Sequence, residues 1–195
     1  FSFGEPKRKG KGRQQAEAGG FDVVSCQFAI HYFFVDSATL HVFFENVSKA
    51  LDVGGYFICT FMDGDAVHNS LKWDNKHKQH MNKGIAHQTV VWAIHRQYDN
   101  YEKRDPFSKP IDVYLQNTNQ VIREYLVNFD VLQETAAQHM LVCEANGMFI
   151  DDLNDDSKTE NNSYLRNVVN QLRRDPVQKR FIQLNRWALF KKVIV

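Results

Sequence analysis

Cysteine is scarce in this chain: Cys26, Cys59 and Cys143 are the only three in 195 residues. Their spacing makes neither a pairable disulfide framework nor a metal-ligand pattern. Each lies in or beside an apolar run, so buried free thiols in a reducing compartment are expected. Long apolar runs are missing as well. No stretch reaches the ~20 residues that a membrane-spanning helix requires, and no secretory signal pattern is present, so no membrane partner is expected. Charge of one sign is also lacking: 24 Lys and Arg face 23 Asp and Glu, a formal net charge of +1. That balance excludes a wholly basic nucleic-acid coat and an acidic disordered tail, and confines any nucleic-acid contact to local patches. Internal repeats and low-complexity tracts are absent.

What is present is enough to fill one sizeable core, with 43% hydrophobic and 13% aromatic residues. The chain opens FSFGEPKRKGKGR, without a methionine, and is expected to be a piece of a larger protein. Residues 1–20 read as a basic flexible segment, because Gly and Lys at that density rarely order by themselves. Residues 21–195 carry the folded part.

The chain is organised around Phe21 to Tyr32, FDVVSCQFAIHY. Phe21, Val23 and Val24 predict a strand buried on both faces, as in a parallel sheet covered by helices. It runs out into Gln27, Phe28, His31 and Tyr32, at the carboxyl end where open α/β sheets bind ligands. Asp36-Ser37 predicts an N-cap, and Leu40, Phe43, Phe44, Val47 and Leu51 form an apolar stripe of helical period. Val53-Gly54-Gly55 is expected to end that helix, and Tyr56 to Met62 to form a second buried strand, completing a βαβ unit.

Downstream, Asp63-Gly64-Asp65 leads into a short helix, Ala66 to Leu71, and residues 72–88 read as a polar loop. His77 and His80 have H-x-x-H spacing with no third ligand nearby, so no metal site is expected. Thr89 to Tyr98, Ile111 to Leu115 and Val121 to Val127 predict antiparallel strands, with a turn at Asn117 to Gln120. Asp130 is expected to cap a helix over Val131 to Met140. A short strand, Leu141 to Glu144, and a turn at Ala145-Asn146-Gly147 follow. Residues 151–163 read as an acidic surface loop, Tyr164 to Leu172 as amphipathic, Pro176 as a helix start, and Arg186 to Val195 as a terminal strand.

Two features point to a ligand. Alternation puts Glu124 on one strand face with Ile122 and Leu126, where a carboxylate is costly without a partner. A salt bridge to a nearby Arg or Lys would satisfy it, and so would N–H donors from a ligand. Phe28 or Tyr32 as a stacking surface, with Gln27, His31 and Glu124 as hydrogen-bonding groups, suits a planar polar ring such as a nucleobase. No nucleophile–base pair is evident.

FDVVSCQFAIHYFF, ENVSKALDVGGYFICTFMDG, EYLVNFDVL and EANGMF together resemble the mRNA cap (guanine-N7) methyltransferases, in details the versions of large DNA viruses. The resemblance runs from about Phe21 to Phe149 and weakly to the last strand. It implies an α/β, Rossmann-like class I S-adenosylmethionine-dependent fold, of which residues 21–195 would be the C-terminal two-thirds. It implies methyl transfer from S-adenosyl-L-methionine to N7 of the terminal guanosine of 5′-capped RNA (GpppN). Gln27 and Tyr32 would contact the methyl donor, and Phe28, His31 and Tyr32 would line the guanine pocket. Glu124 would read the guanine edge, while Asn185 stands where the family often has a tyrosine. No single catalytic residue is implied, only positioning ones.

The family's glycine-rich donor loop and ribose-binding acidic residue are not found in these 195 residues, so the chain alone is expected to bind the donor poorly. The missing upstream part or other capping modules would be partners. The location would be the nucleus for a cellular enzyme, and the cytoplasm or virion for a viral one. Two other functions compatible with the sequence are a non-catalytic RNA-binding or stimulatory subunit and a class I methyltransferase acting on another substrate.

Overall fold

The computed structural model describes residues 20–102 and 105–194, so the expectation for the basic segment at 1–20 lies almost wholly outside the described residues. Two sheets make up the fold. The first has the order β1 (Phe21–Gln27), β2 (Leu51–Met62), β9 (Asn185–Lys192), β8 (Leu141–Met148). β1 and β2 are parallel, with Cys26 beside Cys59 and Gln27 beside Thr60, and β9 runs antiparallel between β2 and β8. The crossover between β1 and β2 is α1 (Ser37–Ala50), capped by Asp36, whose carboxylate accepts from the Thr39 amide. The βαβ unit is therefore as expected.

Leu40, Phe44, Val47 and Leu51 of the predicted stripe are buried with Phe57, Cys59, Phe61 and Phe190 of the sheet and with Leu132 and Ala136 of α3 (Phe129–Gln138). Burying such side chains is the main stabilising contribution, roughly 1.5–3 kcal/mol each.

The second sheet is wholly antiparallel, in the order β3 (Lys72–Asp74), β4 (Gln79–Ala86), β5 (Thr89–Arg96), β6 (Pro110–Leu115), β7 (Gln120–Tyr125). Its apolar face buries Trp92, Ile94, Ile111 and Val113 against Val67 of α2 (Gly64–Ser70) and Val177 of α6 (Pro176–Ile182). The sheets meet where β2 and β7 run out. Asp63 bridges Val127 in parallel, and the Gly64 amide donates to the Val127 carbonyl at 2.9 Å. A Cβ on Gly64 would lie 2.7 Å from that carbonyl oxygen, so the junction demands glycine. No helix among the described residues is long and apolar enough to cross a membrane.

Several expectations are corrected. β1 is not buried on both faces: it pairs only with β2, and Val23 is 51% exposed because no described element covers that side. Val53-Gly54-Gly55 does not end the helix. α1 stops at Ala50, Leu51 is already extended, and Gly54 at φ 81° shapes a bulge where the register jumps from Phe21–Leu51 to Val23–Tyr56. The polar loop at 72–88 contains β3 and β4, whose Lys- and His-rich strands are fixed by the ladder to β5 rather than by their own propensity.

Asn128, not Asp130, caps α3 and accepts from the Val131 amide. The supposed turn at 145–147 is a bulge within β8, where the register slips between Cys143 and Ala145. The acidic stretch after residue 148 holds α4 (Phe149–Asn154) and a 3₁₀ turn at Asp156–Thr159, anchored by buried Leu153. α5 (Ser163–Arg174) follows, with none of its residues buried. Cys26 and Cys59 are buried free thiols as expected, and burial pushes both up, but Cys143 is only half-buried.

Trp92 tests the second core. Its indole nitrogen donates to the Val177 carbonyl at 3.1 Å, and a Cβ on Gly84 would come within 2.2 Å of that nitrogen and 2.6 Å of Val177 Cγ1. Gly84→Ala should destabilise the fold by roughly 1–3 kcal/mol through overpacking. The exposed change Val23→Thr should leave stability within about 0.5 kcal/mol, with both read from urea unfolding midpoints.

Candidate guanine pocket

β1 ends in a structure held by Thr60 of β2. The Phe28 amide donates to the Thr60 carbonyl at 2.9 Å and to Thr60 Oγ1 at 3.2 Å. The same hydroxyl donates to Gln27 Oε1 at 2.7 Å, and Gln27 Nε2 donates to Ser25 Oγ at 2.9 Å. Phe28 sits at φ 49°, a strained value for a bulky residue that turns the chain out of the strand. A 3₁₀ turn, Ile30–Val35, follows. Ile30 and Phe34 are fully buried and anchor it, which leaves Phe28 and Tyr32 each 49% exposed on the opposite side. The loop before β6 clasps the turn from outside. Phe107 stacks on Phe34 at 5.8 Å, the Ser108 amide donates to the Phe34 carbonyl, and Ser108 Oγ donates to the Val35 carbonyl.

This clasp delivers β7 to the turn. Glu124, on the same strand face as Ile122, places Oε2 3.6 Å from His31 Nδ1, and both side chains are largely buried. Among the described residues no Arg or Lys pairs with Glu124: neighbouring Arg123 forks instead onto Asp112, at 2.8 and 3.0 Å. Burial alone raises the Glu124 carboxyl to about 7 and lowers the His31 imidazole to about 4. Mutual attraction at this distance opposes both shifts, but 3.6 Å is beyond hydrogen-bonding range, and neither direction reverses. His31 is accordingly neutral at pH 7, and the carboxyl sits near its midpoint.

His31 Nε2 is buried with no hydrogen-bond partner among the described residues. Left without any partner, such a group costs about 1–3 kcal/mol, so this nitrogen is a candidate for a hydrogen bond from outside the described residues. The Tyr32 ring lies 4.1 Å from the His31 ring, and the Phe28 ring meets Phe149 edge-on at 6.1 Å. The Tyr32 ring thus borders a recessed carboxylate and imidazole, and Phe28 stands exposed nearby in the chain at the end of β1.

Of the six residues singled out from the sequence, His31, Tyr32 and Glu124 form one contiguous group. Gln27 and Phe28 adjoin it at the end of β1. Asn185 makes different contacts. It is 3% exposed, and its Nδ2 donates to the carbonyls of Phe181 and Ile182 at 2.7 and 3.5 Å, closing the end of α6. Its Oδ1 is a second buried atom without a partner among the described residues, and Asn185 pairs across the sheet with Met62, at the carboxyl end of β2.

Thr60 and Phe149 were missed by residue-level reading. The first is hidden inside an apolar run, and the second was visible only as the last letter of EANGMF. His77 contacts Asp74 at 3.2 Å, while the His80 ring lies edge-on to Trp73. No cluster of three potential metal ligands occurs among the described residues.

Solved structures share this architecture. The chain matches a S-adenosylmethionine-dependent methyltransferase from Clostridium acetobutylicum over 93% of its own length and 62% of that chain, at 14% identity and a TM-score of 0.50. It matches the CcbJ methyltransferase of Streptomyces caelestis over 93% and 61%, at 11% identity and a TM-score of 0.51. At such identities the likeness shows the fold, an α/β, Rossmann-like class I methyltransferase fold.

Sequence relatives carry more. A probable mRNA-capping enzyme of Acanthamoeba polyphaga mimivirus is 30% identical over 118 residues, 59% of this chain and 10% of that protein. An mRNA cap guanine-N(7) methyltransferase of Eremothecium gossypii is 29% identical over 124 residues, 63% of this chain and 29% of that one. The chain therefore spans less than a third of either relative. The model of the mRNA (guanine-N(7))-methyltransferase domain matches residues 10–188, nearly the whole sequence, and the chain belongs to that family.

Proposed function

We propose that this chain forms the guanine-binding part of an enzyme that methylates N7 of the 5′-terminal guanosine of capped RNA, with S-adenosyl-L-methionine as donor. The observation that carries the reading is the His31–Glu124 pair, 3.6 Å apart and largely buried, with the Tyr32 ring 4.1 Å from the imidazole and one imidazole nitrogen without a partner among the described residues. Guanine presents an N1–H and a C2 amino group side by side, and one carboxylate accepts both. Adenine lacks that donor pair, so discrimination follows from leaving Glu124 unmatched. Neutral His31 supplies a further hydrogen bond at the ring edge, and the exposed rings of Phe28 and Tyr32 hold the purine plane.

Gln27 and Tyr32 border the donor side. Gln27 is fixed by Thr60 and Ser25 at the exposed end of β1, where a polar group would meet the ligand, so the residues present fit one edge of the donor. When bound, S-adenosyl-L-methionine supplies an electrophilic methyl group on a sulfonium centre. Guanine N7 is nucleophilic without deprotonation, so the chain's own residues have no proton to remove. Their contribution is to hold N7 in line and exclude water. Residues 21–195 are read as the C-terminal two-thirds of the complete methyltransferase domain, with the upstream part or other capping modules as partners, in the nucleus of a cell or in the cytoplasm or virion of a virus.

Glu124→Gln keeps the shape and loses the charge. In a complete methyltransferase containing this chain, it should lower kcat/KM for GpppG by about a hundredfold or more, since two hydrogen bonds to a charged group are weakened. Donor affinity should stay unchanged in the same titrations.

The pH dependence has a defined sign. The free carboxyl titrates near 7 and must be ionised to accept two N–H groups, so below pH 7 binding requires losing a proton. KM for GpppG should fall about tenfold per unit as pH rises to 7, then level off, and the Gln variant should show no such slope.

A further inference from the structure

Beyond the guanine pocket, the second sheet carries an unassigned surface. On β3 and β4, Trp73 pairs with His80, and one step beyond the Met81–His95 pair the same register sets His80 opposite Arg96. Arg96 in turn pairs with Ile111, and Ile111 with Glu124. Trp73, His80, Arg96, Ile111 and Glu124 are therefore one cross-strand row on one sheet face. Four strand spacings put its two ends about 19 Å apart. Ile111, its fourth member, is buried in the cluster containing Val67 and separates Glu124 from the Trp73–His80–Arg96 end at the far edge.

At that far edge lies an open hollow of about 240 Å³, lined by Trp73, Gln79, His80, Arg96, Tyr98 and Asp99. The Trp73 ring is 53% exposed, with His80 edge-on at 5.3 Å. Arg96 is pinned across it, its guanidinium 4.8 Å over the Tyr98 ring and its Nε donating to the Tyr98 carbonyl at 2.6 Å.

The charge around this aromatic platform departs from the near-neutral whole. Residues 72–96 carry five Lys and Arg, four His and a single acidic residue, Asp74. Asp74 is already engaged by Lys83 at 3.1 Å and His77 at 3.2 Å, while Lys72, Lys76 and Lys78 are exposed along the β3–β4 hairpin. An exposed tryptophan beside a row of cations matches single-stranded nucleic acid, whose bases stack without sequence preference while its phosphates follow the positive charge. Asp99 on the rim disfavours a phosphate in the hollow itself and suits a base there, with the backbone on the lysines.

We propose that the Trp73–His80–Arg96 hollow and the adjoining lysines bind the RNA chain downstream of the guanosine, stacking a base on Trp73. The location rests on the guanine reading, because Glu124 fixes the other end of the row.

The test uses the chain itself and a short, fluorescein-labelled, uncapped oligouridine followed by fluorescence anisotropy. Trp73→Ala should weaken binding about tenfold, and Trp73→Phe should restore most of it. Lys76→Glu with Lys78→Glu should flatten the dependence of log affinity on log salt by about 1.4. No binding by the parent chain overturns the proposal, as does an unchanged affinity in a Trp73→Ala protein of parental circular dichroism; either result would favour a protein partner on this surface. Capped oligonucleotide separates the two readings. If capped and uncapped forms bind the parent equally while Trp73→Ala weakens both, the guanine assignment fails and with it the place downstream of the guanosine, while base stacking on Trp73 stands.

Discussion

A carboxylate and an imidazole stand 3.6 Å apart in a recess that penalises charge on either, and the surrounding structure exists to keep them there. Burial raises the one and depresses the other, so the carboxyl sits close to the point where a small gain in hydrogen bonding decides its protonation state. A ligand edge with two adjacent N–H donors provides that gain. A carboxylate in water would already be ionised and satisfied by solvent, and would discriminate weakly between purines. Under the proposed reading, desolvation is what converts a common side chain into a selective one, and His31 Nε2, without a partner among the described residues, would be matched in the same way.

The pair depends on two sheets being locked together. His31 belongs to the turn after β1, Glu124 to β7, and their sequence separation is closed by two contacts. One is the junction at Asp63, Gly64 and Val127, where a side chain on Gly64 would strike backbone. The other is the clasp of Phe107 and Ser108 on the 3₁₀ turn. Asp63 is further tied by Arg186 at 2.7 Å, and the same guanidinium lies 4.4 Å over the Phe129 ring. The first sheet therefore supplies the aromatic and histidine side of the pocket and the second supplies the carboxylate.

How much of this was legible in the sequence follows from the range of the forces involved. β1, α1 and β2 could be read because their burial repeats locally, and the antiparallel strands β5 to β7 because apolar runs and turn residues alternate. The suspicion about Glu124 came from the same logic: a carboxylate on an apolar face needs a partner. Its partner could not be read, since nothing in the spacing of His31 and Glu124 encodes their contact, and family resemblance had to supply it. β3 and β4 escaped because Lys and His conceal a strand whose stability comes from its neighbour. Asn185 was placed with the guanine-binding group on resemblance, whereas its amide nitrogen holds the end of α6, a role fixed only by the return of the helix onto β9. Thr60 went unnoticed because a hydroxyl inside an apolar strand announces nothing until the adjacent strand ends beside it.

The carboxyl carbon of Glu124, followed by ¹³C NMR through a pH titration with and without GpppG, tests the central claim most directly. The account predicts a midpoint near 7 in the free chain, moving to lower pH with GpppG and staying in place with ApppA. An ordinary carboxylate midpoint in the free chain, or one that GpppG does not move, would contradict it.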